Sequence, residues 1–157
     1  MMSRADALNQ IFSFHGEDAV YVASTGYISR AVYSAHSLSK NIFYMQGSMG
    51  LSPAIGIGMA LYTTKDVVVI SGDASLLMHL GITHTLRDLH LPNLFVYILN
   101  NGCHESVGSY PSPALEDSYP GITYIINITR DGKMPRVGLD CGDNTSQIKE
   151  FLCPTDC

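Results

Sequence analysis

The order of apolar runs along the chain predicts an α/β protein built on a doubly wound, mostly parallel sheet. Three observations carry that prediction. Short β-branched runs recur, such as residues 67–70, and near-continuous Val/Ile runs suit strands covered on both faces. Segments with helical spacing of apolar residues separate them. Polar or glycine-containing turns follow the runs, as they do at the carboxyl ends of strands in open α/β sheets.

A first helix is expected over residues 5–14, with Ser3 as its N-cap. Residues 19–24 read as a buried strand, residues 29–36 as a helix, and residues 42–45 as a short strand. Residues 51–62 read as a helix with Pro53 in its first turn, where a missing N–H costs little. Residues 67–71 form the next strand. Residues 76–89 then read as one helix, with apolar positions 76, 77, 80, 86 and 89 sharing a face. Residues 94–99 and 122–128 are two further strands. Between them, residues 108–121 hold Pro111, Pro113 and Pro120 and read as a loop. Residues 130–133 form a turn. The stretch 140–157 reads as an irregular tail with a short helix over 147–152.

The 157 residues suit one domain, 1–157. Apolar residues make up 46% and charged residues 15%, which excludes a disordered chain. Formal charge is 9 − 14 = −5 with no basic block, which argues against a nucleic-acid surface. The longest uncharged apolar stretches, such as residues 54–62, are too short for a membrane span of about 20 residues. The N-terminus shows no apolar leader segment, and Cys103, Cys141, Cys153 and Cys157 lack secreted-protein spacing. A reduced, cytoplasmic protein is therefore expected. Cys153-x3-Cys157 has the look of half a metal site, with no second pair to complete it.

The chemistry-bearing residues follow the strands. Ser24-Thr25-Gly26 follows the first, and Gly72-Asp73-Ala74-Ser75 the strand over 67–71. Asn100-Asn101-Gly102-Cys103-His104-Glu105 follows the strand over 94–99. Alone, Asp73 reads as a helix N-cap and Asn101 as a turn-former. As a pair on successive strand ends they offer hard oxygen ligands of the kind Mg²⁺ favours, with phosphates seated on the helix N-terminus. Gly56-x-Gly58 lies inside a helical pattern rather than at a strand-to-helix turn, so it is no dinucleotide fingerprint.

Gly72-Asp73-Ala74, 25 residues (75–99), then Asn100-Asn101 resembles the thiamine-diphosphate signature, usually Gly-Asp-Gly followed by Asn-Asn. The stretches 24–30, 43–50 and 101–108 resemble phosphonopyruvate decarboxylases and sulfopyruvate decarboxylases. The resemblance implies a thiamine-diphosphate-binding fold and non-oxidative decarboxylation of phosphonopyruvate or a close analogue. It implies Mg²⁺ held by Asp73, Asn101 and the Cys103 carbonyl. It implies a diphosphate cradle at Gly72, Ala74 and Ser75, with Thr25 and Gly26 beside it. Gly47, neighboured by Ser48, would accept from the cofactor's exocyclic amine, and Met49 would prop its bent shape. His104 matches a proton-transfer or substrate-anion position, and Glu105 a supporting or substrate-side one.

Such enzymes need a second, PYR-type domain, for which 157 residues leave no room. The resemblance thus implies a partner chain, as the α chain is to a sulfopyruvate decarboxylase β subunit, assembled as a dimer or tetramer. A non-catalytic cofactor-binding module is the other reading. Only residues 109–121 stand where the family places a helix–strand–helix passage, so the fold is expected to be shortened near its C-terminus.

Overall fold

The computed structural model describes residues 1–153. Cys157 of the terminal cysteine pair lies outside them. Helix α1 (Arg4–His15) starts on Ser3, whose hydroxyl accepts from the Asp6 amide at 3.1 Å. Strand β1 (Val20–Ala23), helix α2 (Tyr27–His36), strand β2 (Ile42–Tyr44) and helix α3 (Ser52–Ala60) follow. Then come β3 (Val67–Gly72), α4 (Asp73–Met78), α5 (Ile82–Leu89) and β4 (Leu94–Asn100). A small hairpin, β5 (Cys103–His104) with β6 (Tyr110–Pro111), precedes β7 (Tyr124–Asn127) and α6 (Cys141–Leu152).

The main sheet has five parallel strands in the order β2-β1-β3-β4-β7. Alternate side chains leave opposite faces, as the pleat requires. Tyr21, Ala23, Val68, Ile70, Tyr97 and Leu99 pack with Leu8 and Ile11 of α1 and Val32 of α2. Val22, Val69, Val96 and Ile98 pack on the other face with Ile57 of α3, Leu76 of α4 and Leu86 of α5. The continuous Val/Ile runs are therefore covered on both sides, as expected.

The expected helix over 76–89 is two helices. It begins three residues earlier, at the last strand residue's neighbour, and breaks where His79 leaves the helical region (φ −140°, ψ 48°). The apolar positions 76 and 77 belong to one axis, and 82, 86 and 89 to another. The tail expected to be irregular is helical over Cys141–Leu152. Asp140 caps it by accepting from the Gly142 amide at 2.7 Å. Buried Asn144 then pairs with edge strand β2 as a strand would: the Tyr44 amide donates to its Oδ1 at 2.9 Å, and its Nδ2 donates to the Ile42 carbonyl at 2.7 Å. That satisfies edge groups that would otherwise be left open.

The shortened crossover from β4 to β7 contains no α-helix. Leu115, Tyr119 and Ile122 of that segment lie against the sheet where a helix would. Among the described residues no helix is long and apolar enough to cross a membrane.

Gly56 sits where α3 presses on β3: an added Cβ would stand 2.3 Å from Val69 Cγ2. Gly56→Ala is expected to cost about 1–3 kcal/mol by forcing the helix off the sheet. At Gly58, two residues on, an added Cβ meets nothing within 4 Å. Gly58→Ala should stabilise by up to about 1 kcal/mol. Urea denaturation of the two variants checks this.

Burial raises the Tyr21 hydroxyl's pKa, with Asp66 and Tyr97 adding, and burial with Tyr33 raises that of Tyr44. Unfolded tyrosine titrates at about 10, so the unfolded chain loses these protons first. Stability is therefore full below about pH 10 and falls as pH rises above it. Denaturation between about pH 9 and 11 should show that decline, shallower in Tyr21→Phe.

Candidate functional site

The carboxyl ends of β1, β3 and β4 lie side by side in the sheet. Between β1 and β3 the chain's winding direction reverses, which is where open α/β sheets leave a crevice. A cavity of about 90 Å³ opens there, lined by residues from all three ends, among them Thr25, Asp73, Ser75 and Asn101. That is room for a few water molecules.

Asp73 does not cap a helix. The helix begins on Asp73 itself, Gly72 holds the N-cap position, and no side chain caps it. The Asp73 carboxylate, 3% exposed, instead accepts from the Ser112 hydroxyl at 2.5 Å. Ser112 follows β6 and is held by its amide donating to the Gly102 carbonyl at 3.0 Å. Ser75 ties the rim together. Its hydroxyl lies 3.1 Å from that of Ser24 and accepts from the Gly50 amide at 2.9 Å.

On the β4 side, the Asn101 amide donates to Glu105 Oε2 at 2.8 Å, and its oxygen accepts from the Cys103 amide at 3.2 Å. Both oxygens of Glu105 are taken. Oε2 also receives the Arg4 guanidinium, and Oε1 accepts from the Gly132 amide at 2.9 Å. Arg4 is 1% exposed, and its Nη1 lies 3.8 Å from Asp131. Its Nε and Nη1 have no hydrogen-bond partner. Burial pushes the Cys103 thiol's pKa up, only partly opposed by Arg130, so the sulfur is no ready nucleophile.

Most residues singled out in the sequence meet at this cavity: Thr25, Met49, Gly72, Asp73, Ala74, Ser75, Asn101, Cys103, His104 and Glu105. Gly26 abuts it from α2's start. An added Cβ there would stand 2.9 Å from Ser106 Oγ, at a φ of +76° that only glycine adopts freely. Gly47 and Ser48 are not brought in. They are exposed beside a separate depression with Ile55 and Thr145.

Arg4 and Ser112 were missed as members of the site. For Arg4 a signal existed: positions 4, 7, 8 and 11 share one helical face, and all four are buried. Ser112 lay in a loop whose course no local pattern sets.

Asp73 and Asn101 bring a carboxylate and an amide to the cavity's lining. Among the described residues no three His, Cys, Asp or Glu side chains cluster as a metal site. A hard, oxygen-preferring cation suits such a set better than zinc.

Comparison with known proteins identifies the family. Residues 23–133 match the family model described as thiamine pyrophosphate enzyme, C-terminal TPP binding domain. The chain is 40% identical over 107 residues to a phosphonopyruvate decarboxylase of Streptomyces viridochromogenes, covering 68% of this chain and 26% of that one. It is 38% identical over 109 residues to the sulfopyruvate decarboxylase subunit beta of Methanothermobacter thermautotrophicus, covering 69% and 58%. A Mycobacterium smegmatis chain described as a thiamin diphosphate-dependent enzyme shares the fold, with a TM-score of 0.63 at 15% identity. That match covers 86% of this chain and 32% of the other.

The Glu105 side chain is 7% exposed, so removing its cation alone leaves a buried, uncompensated charge. Arg4→Met by itself should therefore cost about 3–5 kcal/mol, read from thermal or urea unfolding.

Proposed function

The chain belongs to the thiamine pyrophosphate enzyme family through its C-terminal TPP binding domain, and from that premise we propose that it is the Mg²⁺- and thiamine diphosphate-binding half of a 2-oxo acid decarboxylase. The observation that carries the proposal is the meeting of Asp73 and Asn101, from neighbouring strand ends, with Thr25 and Ser75 around one cavity. Phosphonopyruvate, or a close analogue such as sulfopyruvate, is the substrate class suggested by the relatives' names.

The residues fit such a cofactor. Oxygen donors suit Mg²⁺. Arg4 lines the cavity and brings a cation to its wall, which favours an anion there. In this reading Asp73, Asn101 and the Cys103 carbonyl hold the metal. Gly72, Ala74 and Ser75, with Thr25 and Gly26, receive the diphosphate. Gly47, next to Ser48, accepts from the cofactor's amine, and Met49 supports its ring pair. His104, on the cavity wall, holds or moves a proton on the substrate side. The bound cofactor supplies an electron sink for loss of CO₂ from a 2-oxo acid.

The chain spans about a quarter of the Streptomyces relative and under two thirds of the archaeal β subunit. The cavity, about 90 Å³, is far smaller than the roughly 300–1,000 Å³ that pockets for ligands of the cofactor's size occupy. A PYR-type partner domain is thus proposed to complete the site, in a dimer or tetramer with this chain.

Isothermal titration of thiamine diphosphate with Mg²⁺, with and without a PYR-domain partner chain, tests this. Binding is expected, and Asp73→Ala should abolish its Mg²⁺-dependent part. Absence of binding under both conditions overturns the proposal. Binding with the partner but without CO₂ release from phosphonopyruvate, sulfopyruvate or pyruvate would make the chain a non-catalytic cofactor module.

A further inference from the structure

We propose that Arg4, acting through Glu105, fixes the orientation of the Asn101 side chain so that its oxygen, and not its nitrogen, is presented to a divalent cation. The inference rests on the reading of Asp73 and Asn101 as the metal-holding pair, and adds two positioning residues to it.

An asparagine side chain has two ends of nearly equal shape and opposite character. Turned one way it offers a cation a carbonyl oxygen; turned the other, an NH₂ group that repels it. The amide at 101 must therefore be held. Glu105 does this chemically, because an ionised carboxylate only accepts. Its Oε2 takes the Asn101 Nδ2 at 2.8 Å, which leaves Asn101 Oδ1 on the opposite side, where the Cys103 amide donates at 3.2 Å. Swapping the amide ends would set oxygen against oxygen at Glu105 and N–H against N–H at Cys103.

Glu105 is in turn held from two directions. The Gly132 amide donates to Oε1 at 2.9 Å, and the Arg4 guanidinium donates to the same Oε2 that receives Asn101. Arg4 arrives from 101 positions earlier in the chain. It is fixed in turn by its own amide donating to Asp131 at 3.2 Å. Its guanidinium supplies the counter-charge to a carboxylate that is 7% exposed.

As packing alone, Arg4 is a poor choice. It is 1% exposed, and its Nε and Nη1 find no partner. An apolar residue would fill the buried face of α1 without that desolvation. What the arginine adds is the direction it imposes on Glu105. Residues around a metal ligand that orient it this way influence affinity strongly without touching the metal.

The test reads metal affinity rather than turnover. Mn²⁺, as a paramagnetic substitute for Mg²⁺, is titrated into the full chain with thiamine diphosphate present, and bound ion is followed by electron paramagnetic resonance. The double variant Arg4→Met/Glu105→Leu removes both charges while keeping side-chain volume, a change that commonly leaves a fold intact. A melting temperature near that of the unaltered chain is expected, with Mn²⁺ affinity lowered roughly 10- to 100-fold. Arg4→Lys keeps a cation but loses the planar fork, and should lose between about 2- and 10-fold. It should also shift the Asn101 side-chain amide resonances. Affinity within about twofold of the unaltered chain in the folded double variant overturns the inference. If the double variant does not fold, Arg4→Lys decides: unchanged affinity and unchanged Asn101 resonances overturn it. Asp73→Ala separates the two levels. Full Mn²⁺ binding there overturns the metal reading itself. Loss there, with no loss in the Arg4 variants, overturns only the positioning role.

Discussion

Burial of both faces of β1, β3 and β4 is the constraint on which the rest of the molecule depends. Residues 67–70 and 96–98 are almost wholly shielded from solvent, with helices on one side and helices plus the crossover segment on the other. A polar side chain along such strands must find a partner, as Ser71 of β3 does with the Ser52 hydroxyl at 3.1 Å, because an unpaired one there would be costly. Chemistry is therefore confined to their ends. The parallel arrangement puts the carboxyl ends of three neighbouring strands at one rim, and the reversal of winding between β1 and β3 leaves a space among them.

At that rim the side chains satisfy one another more than they face water. Ser24, Ser75 and the Gly50 amide form one set of bonds. Asp73 with Ser112 forms a second, and Arg4, Glu105, Asn101 and Gly132 a third. Each set joins segments distant in sequence, so the strand ends are locked relative to one another. Arg4 is the costliest member, a buried cation with donors to spare. In the proposed reading its position makes sense as part of a site that handles negative charge and needs its ligands pre-oriented.

The sheet is covered and its edges are closed by small local devices. Leu115, Tyr119 and Ile122 cover the sheet without a helix. At the sheet's far edge, Asn144 of α6 completes β2's hydrogen bonding, while Met2 bridges to Ile128 beyond the end of β7. An edge can be closed by one buried amide or a single bridging residue, and neither leaves a periodic mark in a sequence.

The sequence by itself determined the α/β class, the five strands of the sheet, most helix positions, and the gathering of Asp73, Ser75 and Asn101 at one rim. Those features are local. Periodicity reports burial on one element, and short glycine-rich turns after strands report a rim. The family membership rests on the same local motifs. Only the tertiary structure decided which residues complete the rim. The break between α4 and α5, the extent of α6, the engagement of Asp73 by Ser112 and the reach of Arg4 to Glu105 all depend on chain segments meeting across long separations. Such meetings are set by how whole elements pack, and packing is a property of the folded chain that no stretch of residues carries alone.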